Sequence, residues 1–357
     1  MTPRTSATAT GVLRFGFGVN PHGVAEVAGA AGWAEEHGFD RVGVWDSPVA
    51  HREVWVTLAA VAAATERLRI GPWVTNAASR HPVVTASAAA TLDELAPGRV
   101  LLGVGSGDSG VYNLGSKSLR LDDLERFVTA VRNLLTDGTT TWRGHDLRLE
   151  WPGWRRVPIF VSAHGPRALR MAGRVADGVI VATGVRPDDV TWAREQIAIG
   201  CREAGRDLDE LELVWMAPWY LAADREDARR EALWHLASLV HHWARSGKAD
   251  HLPERYRAGT LELGSRYDLR SHGAVSDEQK SDYAAEAGRL GVADYLVDRF
   301  TFSGTAEEVG DRMSAAAAAG AIAFDCANSA PPGHVLDRPS AFADGVLPLL
   351  RPARKEA

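Results

Sequence analysis

Eight short apolar stretches recur along the chain, separated by segments with helical periodicity. Most of the stretches are continuous rather than alternating, which is typical of strands buried on both faces of a parallel sheet. They are Leu13–Val19, Arg41–Trp45, Leu68–Val74, Arg99–Val104, Val157–Ser162, Asp177–Ala182, Leu211–Met216 and Ala321–Cys326. The expected helices are Val24–His37, Val54–Thr65, Pro82–Leu95, Leu121–Leu135, Pro166–Val175, Pro187–Ala204 and Thr305–Ala319. This pattern predicts an α/β fold, and a (β/α)8 TIM barrel fits it better than an open Rossmann sheet.

Two stretches interrupt the alternation. Thr139–Arg156 alternates around an Arg-Gly pair, which predicts an inserted β-hairpin near 139–156. The second stretch, Arg225–Phe302, follows strand seven and predicts helices over Glu231–Trp243 and Ser276–Leu290, with a polar segment of little periodicity between them. On a barrel this insertion, near 225–302, is either a segment that covers the substrate or a surface excursion.

The composition limits the classes of function. Hydrophobic residues make up 45% of the chain and charged residues 24%, so a large core is expected. We predict one domain over residues 13–352 behind a flexible N-terminal tail, residues 1–12. A net charge of −6 gives no basic surface for nucleic acid or a membrane, and no apolar run reaches the roughly 20 residues that span a bilayer. The two cysteines, Cys201 and Cys326, are typical of buried thiols in a cytoplasmic protein.

In a barrel of this kind, the functional residues lie where the strands end at their carboxyl side. Those positions contain no HExxH or GxSxG motif and no His-x-His pair, so neither a metal site nor a barrel hydrolase is predicted. They are rich in glycine, serine, threonine and asparagine, which offer hydrogen bonds at close approach. Such surroundings favour a flat, phosphate-bearing cofactor.

The segment Gly105–Gly110 matches the GxGxxG pattern after a strand. A dinucleotide site would need a helix to begin at once, whereas the next expected helix begins at Leu121. We therefore interpret these glycines as a turn that requires positive φ, which is compatible with a binding site of another kind.

A second glycine-containing loop follows the fifth strand. Its residues Ala163, His164, Gly165, Pro166 and Arg167 lead into a helix whose first N–H groups could bind phosphate. Thr183 and Gly184 end the next strand and would flank the same position. The alternative is ordinary helix capping.

With these loops in view, the chain resembles the bacterial luciferase-like family of flavin-dependent oxidoreductases. It is most similar to the branch of methylenetetrahydromethanopterin reductase, which uses the deazaflavin F420. The resemblance is spread over residues 13–330. The residues that carry it are Gly71–Asn76, Arg80–Pro82, Thr85–Ser87, Ala90–Leu95, Gly98–Val100, Gly103–Asp108, Gly165–Leu169, Ala176–Ile180 and Gly304–Val309.

The resemblance implies roles for particular residues. Trp73 and Val74 align with a non-prolyl cis peptide that supports the cofactor ring, followed by Thr75 and Asn76 in the same cofactor site. Gly105, Ser106 and Gly107 would face the pyrimidine edge of the ring, and Asp46 its reactive region. The phosphate would be held by Ala163 to Arg167 and by Thr183 and Gly184. Trp73 departs from the reductase branch, which has a small residue there.

Asp46 is the first candidate for proton handling or ring orientation, followed by the histidines His51 and His81, for which structural roles are the alternative. The aromatic residues of strand seven and the insertion suggest a bulky apolar substrate, although tryptophans also fill large barrels. Those residues are Trp215, Trp219, Tyr220 and Trp243.

The expected activity is F420-dependent hydride transfer to or from a small organic molecule. The first alternative is an FMNH2-dependent monooxygenase that uses O2, and the second is a non-catalytic barrel that binds a flavin or another ligand. The resemblance also implies a homodimer.

Overall fold

The computed structural model describes residues 12–151, 153–246, 249, 252–267 and 276–351. The predicted flexible tail lies outside the described residues, except for Val12. The chain forms two compact units. The first contains the described residues up to Ala182 together with Thr191–Met216 and Ala321–Leu336. The second contains Thr183–Val190, the described part of Ala217–Gly320, and the described residues from Asp337 onward.

The strands are numbered in chain order through both units. They are β1 Arg14–Val19, β2 Arg41–Val44, β3 Arg69–Pro72, β4 Thr75–Asn76, β5 Leu102–Gly105, β6 Thr139–Trp142, β7 His145–Arg148, β8 Ile159–Ala163, β9 Gly178–Val181, β10 Glu212–Ala217, β11 Trp219–Leu221, β12 Phe302–Gly304 and β13 Ala323–Asn328. In the first unit, nine of these form one sheet in the order β3-β2-β1-β13-β10-β9-β8-β5-β4. The registered pairs within this sheet are parallel.

This sheet is a nearly closed barrel. Its two outer members, β3 and β4, are separated only by Trp73 and Val74; β3 lies within the predicted strand Leu68–Val74, and β4 follows it. β3 pairs with β2, β4 pairs with β5, and Ile70 forms an additional parallel bridge to Val100. The eight predicted strands and the (β/α)8 fold are therefore confirmed.

The helices lie between the strands and in the second unit. They are α1 Val24–Glu36, α2 Val54–Ala63, α3 Pro82–Leu95, α4 Ser109–Tyr112, α5 Leu121–Asp137, α6 Pro166–Val175, α7 Pro187–Glu203, α8 Arg225–His235, α9 Ala237–Ser246, α10 Glu254–Ser265, α11 Asp277–Arg289, α12 Ala293–Phe300, α13 Ala306–Ala318, α14 Asp337–Gly345 and α15 Leu347–Leu350. A 3-10 turn spans Leu208–Glu210.

The seven predicted helices are all present, and their ends agree to within two residues. Local chemistry explains the agreement. α3 and α6 begin at prolines, whose fixed φ suits the first helical turn. α13 begins with a capping box in which the Glu308 N–H donates to the Thr305 hydroxyl (3.3 Å) and the Thr305 N–H donates to the Glu308 carboxylate (3.0 Å).

The barrel interior is filled by a few large side chains. Trp73 and Phe160 lie next to each other there, with ring centroids 5.4 Å apart. Glycines make room for them: a Cβ at Gly43 would lie 2.2 Å from the Cβ of Trp73, and one at Gly178 would lie 2.2 Å from the ring of Phe160. The interior cluster consists of Trp73, Leu101, Phe160, Ile180, Val214 and Ala323.

Charged side chains close the amino-terminal end of the barrel. Arg41 and Asp325 are both almost fully buried and form an ion pair, with Arg41 Nη2 2.5 Å from Asp325 Oδ1. Glu212 accepts from Arg69 at 2.9 Å and also contacts Arg41 and Arg14. Burial raises the pKa of Asp325. Burial would also raise the pKa of Glu212, but the three arginines lower it below its ordinary value.

The predicted hairpin is confirmed. β6 and β7 pair in antiparallel register, with Thr139 opposite Arg148 and Trp142 opposite His145. The two residues between the strands, Arg143 and Gly144, have φ values of 50° and 82°. Positive φ at both positions is the conformation of a type I′ turn, the common connection in a two-residue hairpin.

The long insertion lies in the second unit and contains α8 to α12. Ser276 starts α11 with a capping box to Gln279, so the predicted helix near Ser276–Leu290 is confirmed. The predicted helix over Glu231–Trp243 is instead two helices that meet at Leu236, and the segment expected to be aperiodic contains α10. These helices share an apolar core. Among the described residues, no helix combines the length and hydropathy needed to cross a bilayer.

Candidate active site

Asp46 lies two residues after the end of β2, and its carboxylate is buried. Its Oδ2 accepts hydrogen bonds from the Thr75 hydroxyl at 2.6 Å and from Arg80 Nε at 2.9 Å, and its Oδ1 accepts from Arg80 Nη2 at 3.2 Å. The carboxylate therefore joins the end of β2 to β4 and to the loop before α3. Because both oxygens are engaged, the arrangement suits orientation of the surrounding loops better than proton transfer.

Arg80 is the other half of this contact. Its Nη2 also donates to Glu53 at 2.8 Å, and Glu53 accepts from the Val56 N–H at the start of α2. Burial alone would lower the pKa of Arg80, but its bonds to Asp46 and Glu53 outweigh burial and raise it. Arg80 thus stays charged and holds two strand-end loops together. From the sequence, Arg80 is included only among the residues that carry the resemblance, and Glu53 is not included.

The peptide bond between Trp73 and Val74 is cis, as the resemblance implies. It separates β3 from β4 at the carboxyl end of the strand. The Trp73 side chain points into the barrel interior, whereas Val74 is half-buried and lies against Gly105 of β5: a Cβ at Gly105 would come within 2.9 Å of Val74 Cγ2. The backbone of these two strand ends can therefore approach a flat ligand closely.

Asn76 ends β4 and organises the turn that follows. Its Oδ1 accepts hydrogen bonds from the N–H groups of Ala78 (3.1 Å) and Ser79 (2.8 Å) and from the Ser79 hydroxyl (2.8 Å). This side-chain oxygen therefore holds its own loop. The hydroxyl of the preceding residue, Thr75, is also engaged, because it donates its hydrogen bond to Asp46.

The glycines of the segment after β5 have structural roles. A single turn of helix, α4, begins four residues after Gly105, earlier than the sequence predicts. Gly107 has a φ of +98°, and a Cβ at Gly110 would lie 2.4 Å from the carbonyl oxygen of Asp46. The glycines are therefore required by backbone conformation and by close packing against the Asp46 loop. The hydroxyls of Ser47 and Ser109 add a 3.0 Å hydrogen bond between the same two loops.

The first turn of α6 offers free backbone donors. Gly165 precedes it, no side chain caps it, and a Cβ at Gly165 would meet nothing within 4 Å. His164 and Arg167 are exposed, and His164 contacts the Ser162 hydroxyl at 3.3 Å, whereas Ala163 is buried in β8. Open space at an uncapped helix start fits an oxyanion such as a phosphate.

The two candidate histidines have structural partners. His81 is the N-cap of α3, where its Nδ1 accepts from the Val83 N–H at 3.4 Å. The His51 N–H donates to the Ser47 carbonyl at 2.9 Å, and its ring packs edge-on against His22 at 4.9 Å between centroids. Capping and packing account for both positions.

In the second unit, Thr183 and Gly184 follow β9. Thr183 is buried, and among the described residues its hydroxyl has no hydrogen-bond partner. Gly184 has a φ of +130°, which favours glycine.

The four aromatic residues expected to contact substrate are buried. Trp215 and Trp219 are 0% exposed, Trp243 is 2% exposed and Tyr220 is 8% exposed. Trp219 packs on Phe342 in the second unit, with centroids 4.2 Å apart. Trp215 neighbours Val214, a member of the interior cluster, so it points away from the barrel interior. All four therefore pack the protein and offer little or no surface to a substrate in this structure.

The described part of the chain contains no group of three or more histidine, cysteine, aspartate or glutamate side chains placed to hold a metal ion. The features at the carboxyl end of the barrel are instead close backbone approach, an uncapped helix start and an ion pair that fixes the loops. These features fit a flat cofactor with a phosphate group.

The chain is similar to known proteins. The profile of the luciferase-like monooxygenase family matches residues 7–322. The chain is 30% identical over 299 residues to the 5,10-methylenetetrahydromethanopterin reductase of Methanolobus tindarius, which covers 82% of this chain and 86% of that protein. It is 33% identical over 276 residues to the F420-dependent glucose-6-phosphate dehydrogenase of Nakamurella multipartita, which covers 70% and 80%.

A solved structure has the same fold. The coenzyme F420-dependent tetrahydromethanopterin reductase from Methanopyrus kandleri superposes with a TM-score of 0.71 at 22% identity, covering 95% of this chain and 100% of that one.

Proposed function

Because the chain belongs to the luciferase-like monooxygenase family of oxidoreductases, we propose that it transfers hydride between the deazaflavin F420 and a small organic substrate. The observation that supports F420 most directly is the sequence similarity of this protein to an F420-dependent dehydrogenase over 70% of the chain. When bound, the deazaflavin supplies or accepts the hydride. The protein's part is to bind and orient the ring and to exclude water.

We propose that the ring binds at the carboxyl end of the barrel against the backbone of Trp73 and Val74. Gly105, Ser106 and Gly107 would line the edge of the ring. A side chain at Gly105 would collide with Val74, so the backbone there is free of side chains and can approach the ring closely. The uncapped start of α6 at Gly165 would bind the phosphate. Thr183 and Gly184 remain predicted phosphate ligands on the strength of the resemblance.

The alternative is a monooxygenase that uses reduced FMN and O2, which the description of the matching family favours. Titration of the purified protein with F420 and with FMN, followed by absorbance, separates the two. We expect a saturable spectral change with F420 and reduction of bound F420 by an alcohol or sugar substrate. Binding of FMN with NADH-driven O2 uptake would refute the F420 assignment, and binding without any turnover would support a non-catalytic barrel. Failure to bind either cofactor would refute the proposal.

Asp46 is proposed to orient the cofactor site through Arg80 and Thr75. In Asp46→Asn we expect cofactor binding to persist and kcat to fall by roughly tenfold to a hundredfold, the range for losing a group that positions a binding residue. Asp122→Asn, an exposed change at the start of α5, is the matched control and should leave kcat unchanged. Steady-state kinetics and cofactor titration of both variants provide the measurement. Unchanged turnover in Asp46→Asn would remove Asp46 from the mechanism.

We also propose that the protein is a homodimer in the cytoplasm that acts on a small molecule. Sedimentation analysis should give twice the mass of one 38.4 kDa chain. A monomer at micromolar concentration would contradict the dimer.

A further inference from the structure

The loop of residues 183–186 joins β9 to α7 and contains the predicted phosphate ligands Thr183 and Gly184. The Thr183 hydroxyl is buried and has no partner among the described residues, so it is available to a ligand oxygen.

Asp189, in the first turn of α7, lies directly behind the loop and is 5% exposed. A Cβ at Gly184 would come within 2.7 Å of its carboxyl carbon. Its Oδ2 accepts from Arg186 Nε at 2.9 Å, and its Oδ1 lies 2.9 Å from Arg299 Nε. One carboxylate therefore contacts the glycine of the loop and two arginines.

Arg299 brings the long insertion to this loop. It lies on α12, is 6% exposed, and donates from Nη1 to the Tyr295 hydroxyl. The Arg299 carbonyl accepts a 2.8 Å hydrogen bond from the Val185 N–H. The loop is thus attached to α12 by its backbone and, through Asp189, by a buried ion pair.

We propose that Asp189 and Arg299 are positioning residues that hold Thr183 and Gly184 in the conformation that binds the cofactor phosphate. The inference rests on the proposed function. A buried charge left without its partner forces its surroundings to rearrange. Since Asp189 is packed against Gly184, that rearrangement displaces the loop. By this route a helix of the insertion controls the affinity for the cofactor.

The test compares ligands with and without the phosphate: F420 against deazariboflavin, and FMN against riboflavin, the pair that differs only in the phosphate. In Asp189→Asn and in Arg299→Gln we expect the Kd of the phosphate-bearing member of the bound pair to rise about tenfold or more, the loss typical of removing a positioning partner. The Kd of the phosphate-free member should stay within about twofold of the wild type. Arg299→Lys, which keeps the charge, should recover part of the affinity.

Asp188→Asn is the matched control, because Asp188 is the neighbouring acidic residue in α7 and is exposed. It should leave both Kd values unchanged. Retained binding of the phosphate-free ligand shows that a variant is folded, and Arg299→Lys replaces any variant that is not. Equal weakening of both ligands, or of neither, would overturn the inference. If the wild-type protein binds none of the four ligands, the proposed function itself is refuted.

Discussion

Replacing Trp73 with alanine is expected to destabilise the protein by about 3–5 kcal/mol, the usual loss when a large buried aromatic side chain is truncated. Trp73 is 3% exposed and packs against Phe160 inside the barrel. The neighbouring strands place glycines at Gly43 and Gly103 beside it, so these two positions offer no side chain to fill the space that the indole leaves. Denaturant unfolding monitored by circular dichroism measures the loss.

Two controls separate the packing effect from other effects at this position. The indole N–H of Trp73 is buried and has no hydrogen-bond partner among the described residues, so Trp73→Phe removes no hydrogen bond and, because it leaves a smaller cavity, should cost less than Trp73→Ala. Trp142→Ala, on the half-exposed hairpin, controls for the loss of a tryptophan as such. If Trp73→Ala were no less stable than Trp142→Ala, the interior cluster would not be a determinant of stability.

Breaking the buried ion pair should have a comparable effect. Arg41→Met leaves the carboxylate of Asp325 buried without its partner, and we expect a loss of about 3–5 kcal/mol in the free energy of unfolding. The double variant Arg41→Met with Asp325→Leu removes both charges and should be more stable than Arg41→Met alone. A double-mutant cycle of denaturant unfolding measures this coupling.

The loss in Arg41→Met should also depend on pH. Burial already raises the pKa of Asp325 in the presence of Arg41, and protonation removes the uncompensated charge. The destabilisation is therefore expected to be full well above that pKa and to shrink as the pH falls through it. Arg126→Met, which breaks an exposed pair with Asp123, should cost about 0–1 kcal/mol. Strictly additive single effects, or a loss independent of pH, would contradict this account of the pair.

The strands and most of the helices could be predicted because their signals are local. Continuous apolar runs and helix-starting prolines such as Pro82 lie within a few positions of the structure they determine. The helix α10 was missed because its sequence shows little periodicity and its packing is set elsewhere. A Cβ at Gly264, for example, would lie 2.4 Å from the carbonyl of Val240 on α9. Such a contact between helices leaves no repeat in the sequence.

The sequence likewise predicts some features of the candidate site and misses others. The barrel pattern predicts strand-end positions such as Asp46, but it does not predict their partners. Arg80, the partner of Asp46, lies 34 positions further along the chain. The two members of the buried pair Asp189 and Arg299 are separated by an even longer stretch of sequence. Aromatic content does not reveal which tryptophans are buried, because burial of Trp219 depends on a distant residue, Phe342.

The glycines beside Trp73 limit which residues can be exchanged between this chain and its relatives. A Cβ at Gly43 would lie 2.2 Å from Trp73 Cβ, and one at Gly103 would lie 3.1 Å from its ring. These clashes do not depend on the indole alone: every residue except glycine has a Cβ at position 73, and a Cβ at Gly103 would also lie 2.4 Å from the carbonyl oxygen of Pro72. Positions 43 and 103 must therefore remain glycine even where a small side chain replaces Trp73. Grafting a third strand with such a small residue into this chain would leave a void that neither position can fill.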